Sequence, residues 1–181
     1  ISLLFSCGCF CQGGHPSSPP LYSSAASEGY KRQALDRLKL ALAQARREST
    51  LVGVMFLDLD NFKHINDTLG HDAGDNLLIE AARRISSCLR GTSTVARLGG
   101  DEFGIILQNC DLNTAGQVAE KVRAALDHLV FTWQETSHTN SCSIGVVPIH
   151  NECSVMSALL KAAYTSCYAY NCRCRHRVAV H

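Results

Sequence analysis

The sequence carries almost no net charge: 17 Lys and Arg stand against 16 Asp and Glu in 181 residues, leaving +1. So weak a field draws the chain neither to nucleic acid nor to an anionic membrane surface, and a small ligand held by local groups is the better expectation. Also missing is any uninterrupted apolar stretch of about twenty residues, the length a membrane helix needs. The apolar run at 1–10 is shorter and has no basic flank, so it reads neither as a span nor as a signal peptide. The paired two-residue cysteine gaps of common zinc sites are absent too, since Cys7, Cys9 and Cys11, like Cys172 and Cys174, alternate with other residues. Ten cysteines are a smaller share than the roughly 8–10% of a disulfide scaffold, so reduced thiols and a cytoplasmic location are expected. There is no internal repeat and no heptad run to drive a coiled coil. The chain opens on Ile1 rather than Met, so a fragment is expected, the cytoplasmic part of a membrane-bound sensor included, with any sensor domain or anchor upstream.

What is present suits one globular unit, because single cores cover about 100 to 200 residues and 46% of this chain is hydrophobic. Gly, Pro and Ser crowd 8–27, so 1–27 reads as a disordered lead or linker and 28–181 as the domain. Tyr30, Ala34, Leu38, Leu42 and Ala45 recur at helical spacing, whereas 51–59 is a short, nearly continuous apolar run that suits a central buried strand ending on Asp58 and Asp60. A polar turn is expected over 61–70. A helix with Leu77, Leu78, Ala81, Ile85 and Leu89 on its buried stripe then follows. Strands at 94–98 and 103–107 flank Gly99-Gly100-Asp101-Glu102, a hairpin signal because glycine accepts positive φ. A helix from Leu112 to Leu126, a strand at 141–148 and a last helix at 155–170 complete a fold in which strands and helices interleave.

The chemistry is concentrated in Phe56-Leu57-Asp58-Leu59-Asp60-Asn61-Phe62-Lys63, then Asn66-Asp67, Gly70-His71, Gly74-Asp75, and finally Arg97-Leu98-Gly99-Gly100-Asp101-Glu102-Phe103. Carboxylates at the end of a buried strand are costly unless solvated, paired or metal-bound. If the hairpin tip lies beside that strand, two acidic clusters meet, and hard carboxylate oxygens suit Mg²⁺ that also holds phosphates. Taken singly each piece has a plain reading: Asp-x-Asp as a strand-end turn, Gly-Gly as a hairpin, Lys63 as a solvated lysine, Asn66 and Asp67 as turn or cap residues, Asp75 as a first-turn acid. Their joint occurrence in this order is what carries information.

In that order these motifs closely resemble the GGDEF family of diguanylate cyclases, with the resemblance running from about Tyr30 to Val178. It implies an α+β fold in which a central mixed, mainly antiparallel β-sheet is surrounded by helices, as in nucleotidyl cyclases and polymerase palms. It further implies that Asp58, the carbonyl of Leu59, Asp101 and Glu102 hold Mg²⁺, as two ions, with Mn²⁺ an alternative. Asp101 would also be the base for an attacking 3′-hydroxyl, with Glu102 sharing the metal. Lys63 would neutralise phosphate charge in the transition state. Asn66 and Asp75 would read guanine, with His71 and Phe62 lining the pocket, Gly99 and Gly100 admitting the nucleotide, and Arg175 holding its triphosphate. The partners implied are GTP and a second copy of the chain, since family members join two GTP molecules into cyclic di-GMP across a symmetric dimer.

Both ends depart from the family pattern. Where Asp-x-Leu-Thr-x-Leu-x-Asn-Arg is usual, 19–27 retains only Leu21. The family's C-terminal Lys, which binds the triphosphate tail with an Arg, is Asn171 here, Gly is Cys174, and Arg175 remains. The product-binding Arg-x-x-Asp has become Arg90-Gly91-Thr92-Ser93, so feedback inhibition is expected to be weak. Two readings result: a Mg²⁺-dependent diguanylate cyclase, or a degenerate domain that binds GTP without turnover and regulates an attached or partner domain.

Overall fold

The protein is described here from a computed structural model, covering residues 24–48, 51–149, 154, 156–163 and 178–180. The central strand β1 (Val52–Asp60) is buried along almost its whole length, as its apolar run requires, and pairs antiparallel with strands on both sides. On one side lies β3 (Glu102–Gln108), itself paired with β2 (Thr94–Gly99). On the other lies β6 (Ser141–Ile149), followed by the short parallel strand β7 (Val178–Val180). The sheet order is therefore β2-β3-β1-β6-β7, mixed but mainly antiparallel.

Strand alternation divides the core between the two faces of this sheet. Met55, Leu57 and Leu59 of β1 meet α3 (His71–Cys88) and α4 (Leu112–Asp127) through Leu77, Leu78, Ile85, Ala115, Val122 and Leu126. Val52, Val54 and Phe56 face the other way, onto Leu38 and Leu42 of α1 (Ser24–Arg47) and onto Ala158, Leu159 and Ala162 of a helix at 156–163. Gly104 makes this second layer possible: a Cβ there would sit 2.9 Å from Leu38 Cδ1 and 3.3 Å from Leu159 Cδ2. No helix among the described residues is long and apolar enough to cross a membrane.

Several elements differ from the sequence expectation, among them β7, a strand the sequence reading does not include. The segment expected as a polar turn contains α2 (Phe62–Leu69), whose Phe62 and Ile65 are buried in the core. A small separate hairpin, β4 (Val130–Trp133) with β5 (Thr136–Thr139), turns through Gln134 and Glu135, both at positive φ. The first helix is already formed at Ser24, ahead of the domain start expected near Glu28. The expected final helix is seen at 156–163, and the rest of it lies outside the described residues.

Candidate active site

β1 closes on Asp58, Leu59 and Asp60. Alternation sends Leu59 into the α3–α4 side of the core and leaves the two carboxylates on the opposite face, Asp58 half-buried and Asp60 buried. The ladder with β3 sets Glu102 directly opposite Asp58. The hairpin tip between β2 and β3 is held from two directions: Arg97 Nε donates to the Gly100 carbonyl at 2.9 Å, and the Leu59 amide donates to the Asp101 carbonyl at 3.3 Å. Gly100 sits at φ 48°, the left-handed region that glycine enters without a Cβ penalty. Among the described residues, no heavy atom beyond the adjacent residues of the chain lies within 4 Å of where a Cβ would stand on Gly99 or Gly100.

This backbone arrangement gathers the carboxyls of Asp101 and Glu102 around Asp58. Burial first, and then the charges of Asp101, Glu102 and Asp60, push the Asp58 carboxyl up from 3.8 to about 7. Four carboxyls, those of Asp58, Asp60, Asp101 and Glu102, thus act on one another at this end of the sheet. Among the described residues no three His, Cys, Asp or Glu side chains close into a ready-made metal cage. The donors gathered here, Asp58, Asp101 and Glu102, are hard oxygens of the kind Mg²⁺ accepts alongside phosphate and water.

The second part of the site is built on α2 and α3. Asn61 at φ 61° turns the chain out of β1, and the first turn of α2 carries Lys63 exposed to solvent. Phe62 is buried at 9% exposure, with its ring packed against Gly74 between the two helices. Gly74 also makes room for Asn66, whose Oδ1 lies 1.9 Å from the position a Cβ would take. Asn66 is thus held at the α2–α3 crossing, with Asp75 the next residue after Gly74 and both Asp75 and His71 exposed at the start of α3. Arg90 is exposed in the turn after α3, where the Ser93 amide donates to its carbonyl at 2.9 Å. Arg175 and Asn171 lie outside the described residues.

Asp60 is the site residue that sequence reasoning passed over. Its carboxylate accepts from Ser141 Oγ at 2.7 Å and from Ser143 Oγ at 3.0 Å, both on β6. The signal was present in outline, since Asp58 and Asp60 share a face and so do Ser141 and Ser143, but only the strand register joins the two pairs.

Fold and site together define an α+β domain with carboxylates converging from the end of its central strand and the tip of the adjoining hairpin. The family model described as diguanylate cyclase, GGDEF domain, matches residues 30–177, and the chain belongs to the GGDEF family. The probable diguanylate cyclase DgcE of Escherichia coli is 34% identical over 145 residues, 80% of this chain and 13% of that protein. Diguanylate cyclase A of Treponema denticola is 32% identical over 146 residues, 81% of this chain and 39% of that protein. This chain therefore spans well under half the length of either relative. Among solved structures, the GGDEF domain of TpbB from Pseudomonas aeruginosa has a TM-score of 0.70 at 33% identity, over 82% of this chain and 88% of that one. The GGDEF domain of DgcB from Caulobacter crescentus, solved with c-di-GMP, has a TM-score of 0.72 at 26% identity, over 80% and 85%.

Proposed function

We propose that the chain is the catalytic domain of a diguanylate cyclase, joining two GTP molecules into cyclic di-GMP with release of two pyrophosphates. The observation that carries this reading is the convergence of two acidic segments: Glu102 lies opposite Asp58 in register, and the Leu59 amide bonds the Asp101 carbonyl beside them. The hard carboxylate oxygens of that cluster fit a divalent cation, Mg²⁺ as two ions or Mn²⁺ in its place. Asp58, the Leu59 carbonyl, Asp101 and Glu102 would hold it. When bound, it supplies charge neutralisation on the α-phosphate.

The chain's own groups divide the remaining work. Asp101, at the tip of the β2–β3 hairpin, takes the proton from an incoming 3′-hydroxyl. Lys63, a point charge on a short helix next to the strand end, offsets charge that develops on the phosphates. Asn66 and Asp75 face the guanine edge, where a carboxylate accepts from both the ring N–H and the exocyclic amine, a pair adenine does not offer. One copy holds one GTP, so the 3′-hydroxyl of one must meet the α-phosphate of another across a symmetric homodimer. A sensor or other domain outside this chain would control that meeting, in the cytoplasm where GTP resides.

Asn171, in place of the family's triphosphate-binding lysine, favours a second reading: GTP binding without turnover, in service of a partner domain. Incubation with GTP and Mg²⁺ followed by chromatography decides between them. Cyclic di-GMP from the wild type, lost in Asp101→Ala with the fold intact, is the expected result. No product from a demonstrably dimeric sample that still binds GTP would overturn the cyclase reading in favour of the second.

A further inference from the structure

Asp60 takes no part in the chemistry above, yet it is one of four buried polar residues among those described, at 7% exposure, and both of its oxygens accept hydrogen bonds from serine. The β1–β6 ladder places Ser141 opposite Asp60 and Ser143 opposite Asp58. Directly opposed side chains stand about 4.5–5.5 Å apart at Cβ, so Ser143 is as much a neighbour of Asp58 as of Asp60. A serine hydroxyl has one proton to donate. Here Ser143 gives it diagonally, to Asp60 Oδ1 at 3.0 Å, while Ser141 occupies Oδ2 at 2.7 Å.

We propose that Asp60 is a positioning residue: by binding the hydroxyl protons of Ser141 and Ser143 it withholds Ser143 from Asp58 and leaves the Asp58 oxygens for the cation. The same two hydrogen bonds fix the end of β1 onto β6, and with it the Leu59 carbonyl. This rests on the assignment of Asp58 as a cation ligand under the proposed function. An asparagine at 60 keeps the shape but replaces one accepting oxygen with a donating amide, so one serine hydroxyl loses its acceptor and Ser143 turns to Asp58.

The test is Mn²⁺ affinity of the full chain with a non-reactive GTP analogue, read from the free-ion paramagnetic resonance signal, with thermal melts in parallel. Asp60→Asn is expected to weaken Mn²⁺ binding roughly ten- to a hundred-fold, the range typical of lost outer-shell partners. Adding Ser143→Ala to Asp60→Asn is expected to restore most of that affinity although it removes a further hydrogen bond, which a purely structural role would not allow. Ser143→Ala alone, which removes the competitor and leaves Asp60 with Ser141, is expected to bind Mn²⁺ as wild type does. Unchanged affinity in Asp60→Asn, no recovery in the double variant, or a tenfold loss in Ser143→Ala overturns the proposal. The Asp58→Asn control separates the two levels. Loss of Mn²⁺ there with wild-type binding in Asp60→Asn sinks only the positioning role, whereas full binding without the Asp58 carboxylate removes the cation reading and this inference together.

Discussion

The backbone amide of Leu59 donates to the carbonyl of Asp101 at 3.3 Å, and this bond carries the end of the central strand across to a hairpin tip about forty residues later in the chain. Beside it the ladder pairs Asp58 with Glu102. Backbone hydrogen bonds, not side-chain attraction, thus force like charges together. Acids assembled against their mutual repulsion are a common mark of a site built for a cation.

The repulsion is measurable in the metal-free protein. Because burial and the charges of Asp101, Glu102 and Asp60 raise the Asp58 carboxyl from 3.8 to about 7, the folded state binds more protons than the unfolded state between those values. Stability from this group is therefore greatest in acid and falls as pH rises through the window, with the full penalty above about pH 7. Asp58→Asn should raise the melting temperature in EDTA, more at about pH 8 than at about pH 5. Equal gains at both pH values would show that Asp58 titrates normally.

Gly74→Ala probes the guanine end. A methyl there meets Asn66 Oδ1 at 1.9 Å and the Phe62 ring at 3.3 Å, so the amide must leave its place at the helix crossing. Overpacking of this kind costs about 1–3 kcal/mol. The expected kinetic signature is a raised KM for GTP with a smaller change in kcat, because Asp101 and Lys63 are untouched. Combining it with Asn66→Ala should recover stability but not GTP affinity, as melts and nucleotide titration would read.

Much of this fold was legible in the sequence for identifiable reasons. β1 announced itself as an apolar run too short for a buried helix, and β2–β3 by two glycines between such runs. α2 was not legible, because Phe62, Ile65 and Leu69 are its only large apolar residues among Lys, His, Asn, Asp and Thr, which outweigh so short a stripe. The β4–β5 turn uses Gln134 and Glu135 at φ 46° and 67°, positions where Asn or Gly would have given the signal. In the site, the acids and the helix-borne polar groups were visible as motifs. The anchoring of Asp60 by Ser141 and Ser143 was not, since a residue pair 81 or 83 positions apart is joined only by strand register.

The α1 layer offers a stability test independent of catalysis. A Cβ at Gly104 would stand 2.9 Å from Leu38 Cδ1, 3.2 Å from Leu98 Cδ1 and 3.3 Å from Leu159 Cδ2, with leucines closing in from α1, β2 and the 156–163 helix. Gly104→Ala should lower stability by about 1–3 kcal/mol, seen in denaturant melts. Leu38→Ala removes the nearest of these atoms, so the double variant should lose less than the sum of the two single losses; strict additivity would mean the contact is not the cause.

Product feedback is the last expectation the turn after α3 bears on. The family's Arg-x-x-Asp offers a product phosphodiester and base one cation and one carboxylate, and here the fourth position is Ser93, half-buried in a turn closed by its amide on the Arg90 carbonyl. The cation is exposed and ready at Arg90, but a hydroxyl cannot accept from two guanine N–H groups as a carboxylate does. Cyclic di-GMP should accordingly inhibit the wild type weakly. Ser93→Asp should tighten inhibition by about tenfold or more, the equivalent of a charge-assisted hydrogen bond of roughly 1.5–3 kcal/mol, and Arg90→Ala in that background should abolish the gain. Tight, Arg90-dependent inhibition of the unmodified chain would show instead that the turn recruits its carboxylate from elsewhere.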